Sequence, residues 1–318
     1  LAAAVRLREI INSAFRAVVM RTIFVMICLG KSTALASYAK AVRTKFSLDK
    51  RGHLCYTTLS DMRNLLKLHY ENAKLKGIWH FSLPSGYTCP GAKNCYTKVD
   101  RHTGKIVDLQ TPDENGDTFR CYAAMDEARY PTVNRARWFN FDLLKACRSI
   151  QEKVELIVGS IKETGLTRGG TLRVHIGGDY YNQSYFNAWM KAARFFPNVV
   201  FYSYTKSIPF LVKYLQDNGK LPSNFVFTCS KGGKFDHLIP STNVKSARVF
   251  FSNEEAKALG LDIDHTDDFA ISGSDDFALV IHGSQPAKSK ASKALSELKK
   301  KGFTGYSNKK KSLTKAQA

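Results

Sequence analysis

Three of the seven cysteines in this 318-residue chain fall within one stretch. Cys89 and Cys95 bracket Cys89-Pro90-Gly91-Ala92-Lys93-Asn94-Cys95, and Cys121 stands in Arg120-Cys121-Tyr122-Ala123-Ala124. A thiolate is a soft metal ligand, and loop positions can aim several thiolates at one point. Three of them fill three corners of a cubane iron–sulfur cluster and leave one iron open to another ligand. Zinc is the second metal option; it would need a fourth ligand, such as His102 or another cysteine. Cysteine is also among the most buried residue types and often only fills space, so a structural role for the three stays open. Cys229, closing an apolar run, is either a fourth thiolate or buried filler, and Cys28, Cys55 and Cys147 have no supporting context.

The elements that would position these thiols form a rhythm. Short apolar runs at 78–81, 172–176, 199–204, 225–229, 248–251 and 277–282 read as strands, separated mostly by helical patterns. The helices are expected from Cys121 through Ala128, from Phe141 to Glu163, from Ser184 to Phe196, from Ile208 to Asp217, from Ser252 onward and over 291–301. Another is expected from Ser60 to Ala73, and one or two over 1–28. Strands this apolar are covered on both faces, as in a parallel sheet with crossover connections. The expected fold is α/β: a partial TIM-like (β/α)6 barrel over 71–286, with an N-terminal helical extension over 1–70 and a lysine-rich helix and tail over 287–318.

In such sheets ligands sit beyond the carboxyl ends of the strands. The residues there are the Cys89–Cys95 loop, then Gly177-Gly178-Asp179, then Thr205-Lys206-Ser207, then Ser230-Lys231-Gly232-Gly233-Lys234 with Asp236-His237, and last His282-Gly283. Lys206 and Lys234 can hold phosphate or carboxylate, and Gly232-Gly233-Lys234 has the form of a backbone-amide anion nest. Asp179 can instead cap the next helix, and His175, inside a strand, reads as a packed histidine. Asp267, Asp268, Asp275 and Asp276 read as an acidic surface loop, and Trp79, Trp138 and Trp189 as core.

Composition bounds the partners. The formal charge is +21, which favours nucleic acid, nucleotides or another polyanion. From Lys288 onward lysines dominate and Glu297 is the single acid. An odd number of cysteines without a repeated framework argues for a reducing compartment such as the cytoplasm. The apolar run from Ala17 to Gly30 is broken by Arg21 and spans only about 14 residues, too short to cross a bilayer; no membrane partner is expected. Gly30-Lys31-Ser32 lacks the upstream glycine of a phosphate-binding loop, since position 25 is Val25.

Asn72-Ala73-Lys74-Leu75, Trp79-His80-Phe81-Ser82-Leu83-Pro84-Ser85-Gly86-Tyr87-Thr88-Cys89-Pro90-Gly91-Ala92 and Arg120-Cys121-Tyr122-Ala123 together resemble the phage gene product 88 family. Val174-His175-Ile176-Gly177-Gly178-Asp179-Tyr180-Tyr181-Asn182-Gln183, Tyr202-Ser203-Tyr204-Thr205-Lys206-Ser207, Gly232-Gly233-Lys234-Phe235-Asp236-His237-Leu238-Ile239 and Ile281-His282-Gly283 continue the match over about 72–306. That resemblance implies bacteriophage origin and supplies no mechanism. A second resemblance does. Cysteines after the first strand, ending in Cys-Tyr-Ala, and Gly-Gly-acid after the next are similar to radical S-adenosylmethionine enzymes. It implies that Cys89, Cys95 and Cys121 hold a [4Fe–4S] cluster and that Gly177, Gly178 and Asp179 meet the amino group of S-adenosylmethionine. The chain departs from that pattern in having five and twenty-five residues between its cysteines rather than three and two, and Asp rather than Glu.

Overall fold

The computed structural model describes residues 44–48 and 54–58, then 64–72, 74–95, 97–109 and 116–303. The chain divides into two compact units, residues 1–65 and 66–318. In the first, β1 (Thr44–Leu48) and β2 (Leu54–Thr58) pair antiparallel with Phe46 opposite Tyr56. The helices expected over 1–28 lie outside the described residues.

The second unit is organised by a seven-stranded sheet. β3 (His69–Tyr70) lies antiparallel to β4 (Ile78–Phe81) at one edge. A small hairpin, β5 (Thr97–Val99) and β6 (Ile106–Asp108), stands apart from the sheet. Three helices follow it: α1 (Tyr122–Arg129), α2 (Pro131–Ala146) and α3 (Ile150–Lys162). Then come β7 (Gly170–Val174), α4 (Gln183–Ala193), β8 (Val199–Thr205), α5 (Ile208–Asn218) and β9 (Phe225–Ser230). β10 (Ser246–Phe250), α6 (Asn253–Ala258), α7 (Asp268–Ile271), β11 (Phe277–Val280) and α8 (Lys290–Lys300) complete it. The spatial order is β11-β10-β9-β8-β7-β4-β3, so six parallel strands lie side by side in chain order. The fold is α/β, as expected. The sheet is open: β3 and β11 are its two ends and do not pair, so no closed barrel forms among the described residues.

Alternate side chains point to opposite faces of a strand, and here both faces are covered. Leu172, Val174, Phe201, Phe225 and Phe227 join Val154, Ile157 and Ile161 of α3, Phe186 and Trp189 of α4 and Leu211 of α5 in the main core. Trp189 is fully buried with its ring 5.3 Å from that of Phe81. Burying each such aromatic contributes roughly 2–3 kcal/mol. On the other face Tyr202, Tyr204 and Val226 pack with Ala247, Phe277 and Ala270.

Two helical expectations are corrected. The run 141–163 is two helices, because the Ser149 hydroxyl accepts from the Glu152 amide at 3.1 Å and starts a new one. The helix expected from Ser60 to Ala73 is not formed where the chain is described. The Leu66 amide donates to Ser160 Oγ at 2.9 Å and the Lys67 amide to Asn140 Oδ1 at 2.7 Å, so this backbone is tied to α3 and α2. Among the described residues no helix is long and apolar enough to cross a membrane.

Candidate functional site

The Cys89 loop leaves the carboxyl end of β4 through Leu83, which is fully buried, and turns back on itself. The Thr88 amide and hydroxyl both donate to the Pro84 carbonyl, at 3.2 and 2.8 Å. The Ala92 amide donates to the Cys89 carbonyl at 3.2 Å, closing the turn that Cys-Pro-Gly-Ala predicts. The Gly86 amide lies 3.4 Å from Cys89 Sγ. Cys121 occupies the N-cap of α1 with extended backbone, φ −61° and ψ 123°.

The three thiols are electrostatic neighbours. Burial pushes the Cys89 thiol well up, and the charges of Asp179, Cys121 and Cys95 push it further. Burial and then Cys95 push Cys121 up to about 11, against the pull of the Ala124 and Ala123 amides and the Arg137 guanidinium. A raised thiol pKa at Cys89 and Cys121 favours the protonated sulfur, and a bound metal or cluster would favour the thiolate instead. Among the described residues no set of three or more His, Cys, Asp or Glu side chains, these cysteines included, is grouped as a metal site. Three cysteines alone would offer only sulfur, a set that suits an iron–sulfur cluster better than a mixed-ligand ion. The other candidates for a fourth ligand lie elsewhere. His102 is exposed in the β5–β6 turn. Cys229 is buried in the main core with its sulfur 3.7 Å from Thr242 Oγ1, its pKa pushed up by burial to about 11. Cys147 donates to the Leu143 carbonyl at 3.3 Å.

The loops beyond β7, β8 and β9 grip the cysteine loop. The Leu83 amide donates to the Gly177 carbonyl at 2.8 Å, and a β-carbon on Gly178 would meet Thr88 Oγ1 at 2.5 Å. Asp179 is buried; its carboxylate accepts from the Tyr180 amide, Thr205 Oγ1 and the Lys206 amide at 2.7, 2.7 and 2.8 Å. Burial pushes its pKa up against those donors. It joins the ends of β7 and β8, while the cap of α4 is Asn182, whose side chain accepts from the Tyr185 amide at 2.9 Å.

Lys206 Nζ donates to the carbonyls of Ser230 and Lys231 and to Ser230 Oγ at 2.7–3.0 Å. The Lys234 amide donates to the Gly91 carbonyl at 2.9 Å and its Nζ to the Pro90 carbonyl at 3.3 Å. The nest at Gly232 and Gly233 is filled from within, since both amides donate to the Asp236 carboxylate, at 2.8 and 2.9 Å. His237 is exposed beside it, and the two form no acid–base pair. His175 is a packed histidine: buried, 2.9 Å from Tyr185 Oη, and held at a pKa of about 3 by burial and then by the Arg173 charge.

Two polar networks escaped the sequence reading. Arg137 of α2 and Glu127 of α1 form a buried ion pair at 2.9 Å under the cysteine loop. Asp267, expected at the surface, is fully buried against Arg173 of β7 and Lys74, at 2.5 Å each, and accepts from Tyr202 Oη at 2.9 Å. Burial pushes its carboxyl up, and Arg173 and Lys74 more than reverse that, holding it below the usual carboxylate range. Its backbone lies in the left-handed region at φ 73°, a conformation that costs a non-glycine residue about 1 kcal/mol or more. Arg173 also donates to Tyr122 Oη at 3.1 Å, and Tyr122 is the residue after Cys121. The Asp267 network pairs residues 94 and 193 positions apart, and the Arg137–Glu127 pair joins two consecutive helices at a spacing of ten; no local motif carries either.

Comparison with curated proteins and with solved structures finds no match. Comparison with protein families matches Gene product 88 over residues 56–300, which contain all three cysteines and each loop that grips them. The chain therefore belongs to the Gene product 88 family of phage proteins.

Proposed function

We propose that this protein is an iron–sulfur protein with a radical-SAM-like core, in which Cys89, Cys95 and Cys121 hold a [4Fe–4S] cluster and a nucleic acid or nucleotide is the substrate. The observation that supports the reading is three cysteines beyond the first of six parallel strands whose thiols act on one another electrostatically, with Gly178 packed against Thr88 and Leu83 of the Cys89 loop. In this reading the chain's own residues do two things. The thiols bind the cluster, and the loops after β7, β8 and β9 fix the Cys89 turn. A reduced cluster of this type supplies the electron that cleaves the sulfonium bond of S-adenosylmethionine. Asp179 acts here by holding Thr205 and Lys206, with its carboxylate already engaged. The test is reduction of the anaerobically loaded protein with S-adenosylmethionine present: wild type forms 5′-deoxyadenosine and Cys95→Ala does not. An iron-loaded wild type that leaves S-adenosylmethionine intact would remove the cofactor from this reading.

The charge of +21 favours a second reading, a nucleic-acid-binding protein whose cysteines are structural, with zinc or no metal. It predicts zinc or no metal in the purified chain together with affinity that falls steeply with salt.

A further inference from the structure

Three segments of the cysteine site converge on one side chain that no sequence motif singles out. Arg137 is 4% exposed. Its Nη1 donates to the Ala123 carbonyl at 2.7 Å, two residues beyond Cys121, and to Ser85 Oγ at 3.2 Å, on the loop that leads to Cys89. The third contact is with the loop after β7. A β-carbon on Gly177 would lie 2.6 Å from Nη1 and 2.7 Å from Cζ, so this glycine admits the guanidinium. Glu127 is the counter-ion: its Oε2 accepts from Arg137 at 2.9 Å and from the Ser85 amide at 3.0 Å.

The surroundings leave this pair under-satisfied. Arg137 Nε and Glu127 Oε1 are buried without hydrogen-bond partners. Burial raises the Glu127 pKa even against the Arg137 charge. Replacing such a pair by apolar groups is often neutral for stability, so stability alone does not account for it. What a guanidinium adds is a rigid fork that meets several acceptors at once, and a permanent positive charge. Arg137 Nη1 holds that charge at the Ala123 carbonyl, two residues beyond Cys121.

We propose that Arg137 is the positioning residue of the cysteine site, locking the Cys89 loop, the Cys121 helix and the Gly177 loop together and setting a fixed cation at the first turn of the Cys121 helix. The proposal rests on the iron–sulfur reading for its electrostatic half and on the apoprotein geometry for the other half. A cluster held by three thiolates becomes more negative on reduction, and a nearby cation favours the reduced form.

The test uses full-length Arg137→Gln/Glu127→Gln, which leaves no uncompensated buried charge, with Arg137→Lys as the charge-retaining variant. In metal-free protein the double variant raises amide hydrogen exchange about tenfold at residues 85–89 and 121–125 and leaves β8 and β9 unchanged. Arg137→Lys, which lacks the fork, raises it to a similar extent. In iron-loaded protein the double variant shifts the reduction equilibrium about tenfold toward the oxidised form, about 59 mV for one electron, and Arg137→Lys restores most of it. Unchanged exchange in the two segments, or an unchanged potential in loaded protein, overturns the proposal. Raised exchange in a chain that binds no iron supports the lock and removes the iron–sulfur reading instead.

Discussion

Gly91 lies so close to Lys206 that a β-carbon on it would sit 2.0 Å from the Lys206 carbonyl oxygen and 2.5 Å from its carbonyl carbon. The contact is with backbone, which cannot rotate away. Backbone closeness at this point fixes where the Cys89 turn rests on the end of β8. Gly91→Ala is therefore expected to displace the turn, lower stability by about 2–3 kcal/mol and abolish metal loading. Urea unfolding and iron content measured on the same preparation check it. Full iron loading in the variant would show that the turn has another seat.

The Asp267 network makes a sharper stability prediction. Asp267 is fully buried between Arg173 and Lys74, and removing one partner of a buried pair costs about 3–5 kcal/mol. Asp142, which pairs with Arg101 at 2.5 Å while half-exposed, makes a comparison of equal chemistry; such pairs contribute about 0–1 kcal/mol. Asp267→Asn should unfold at far lower urea than Asp142→Asn. Equal midpoints would contradict the buried network.

His175 sets a pH dependence. Buried with Nδ1 unpartnered, it is held neutral in the folded protein with a pKa of about 3, against 6.5 ordinarily. Below pH 6.5 the unfolded chain takes up a proton that the folded chain refuses, so the stabilisation is complete above 6.5 and is lost as pH falls toward 3. The slope from this one group is at most ~1.4 kcal/mol per pH unit. Its backbone φ of 70° suits Asn better than most residues, so His175→Asn is the variant of choice. Thermal midpoints between pH 7.5 and 4.5 should fall less steeply in that variant than in wild type.

Nucleic-acid binding is best probed without truncation. Ala291 and Leu298 of α8 pack with Phe251, Val280 and Ile281, so removing residues 288–318 would strip a core cluster. Lys299, Lys300 and Lys301 lie at its exposed end. Replacing these three by Gln should weaken affinity for single-stranded DNA about uniformly across sequences and lower the salt slope. An unaltered slope would place the contact elsewhere on the chain.

The parallel core was legible because Leu172–Val174, Val199–Thr205 and Phe225–Cys229 are mostly buried on both faces, which leaves runs dominated by apolar residues and interrupted only by Arg173, Ser203, Thr205 and Thr228. The cysteine loop was legible because Cys-Pro-Gly-Ala is local turn chemistry. The break at Ser149 was not, since apolar residues continue at helical spacing from Leu144 to Ile150 across it. Leu65, Leu66 and Leu68 also carry helical spacing, yet distant Ser160 and Asn140 hold the Leu66 and Lys67 amides. Asp267 looked like a surface acid because its cations, Arg173 and Lys74, stand 94 and 193 residues away. Arg137 lies in no motif of the sequence. Its meaning depends on Gly177, Ser85 and Ala123 meeting around it.

The cysteine site itself is tested most directly by iron and acid-labile sulfide analysis after anaerobic purification. Wild type, Cys147→Ala and Cys229→Ala should each carry about four irons and four sulfides per chain. Cys89→Ala, Cys95→Ala and Cys121→Ala should each carry almost none. A wild-type chain free of iron and sulfide after anaerobic reconstitution, or equal iron in all the variants, would contradict the account.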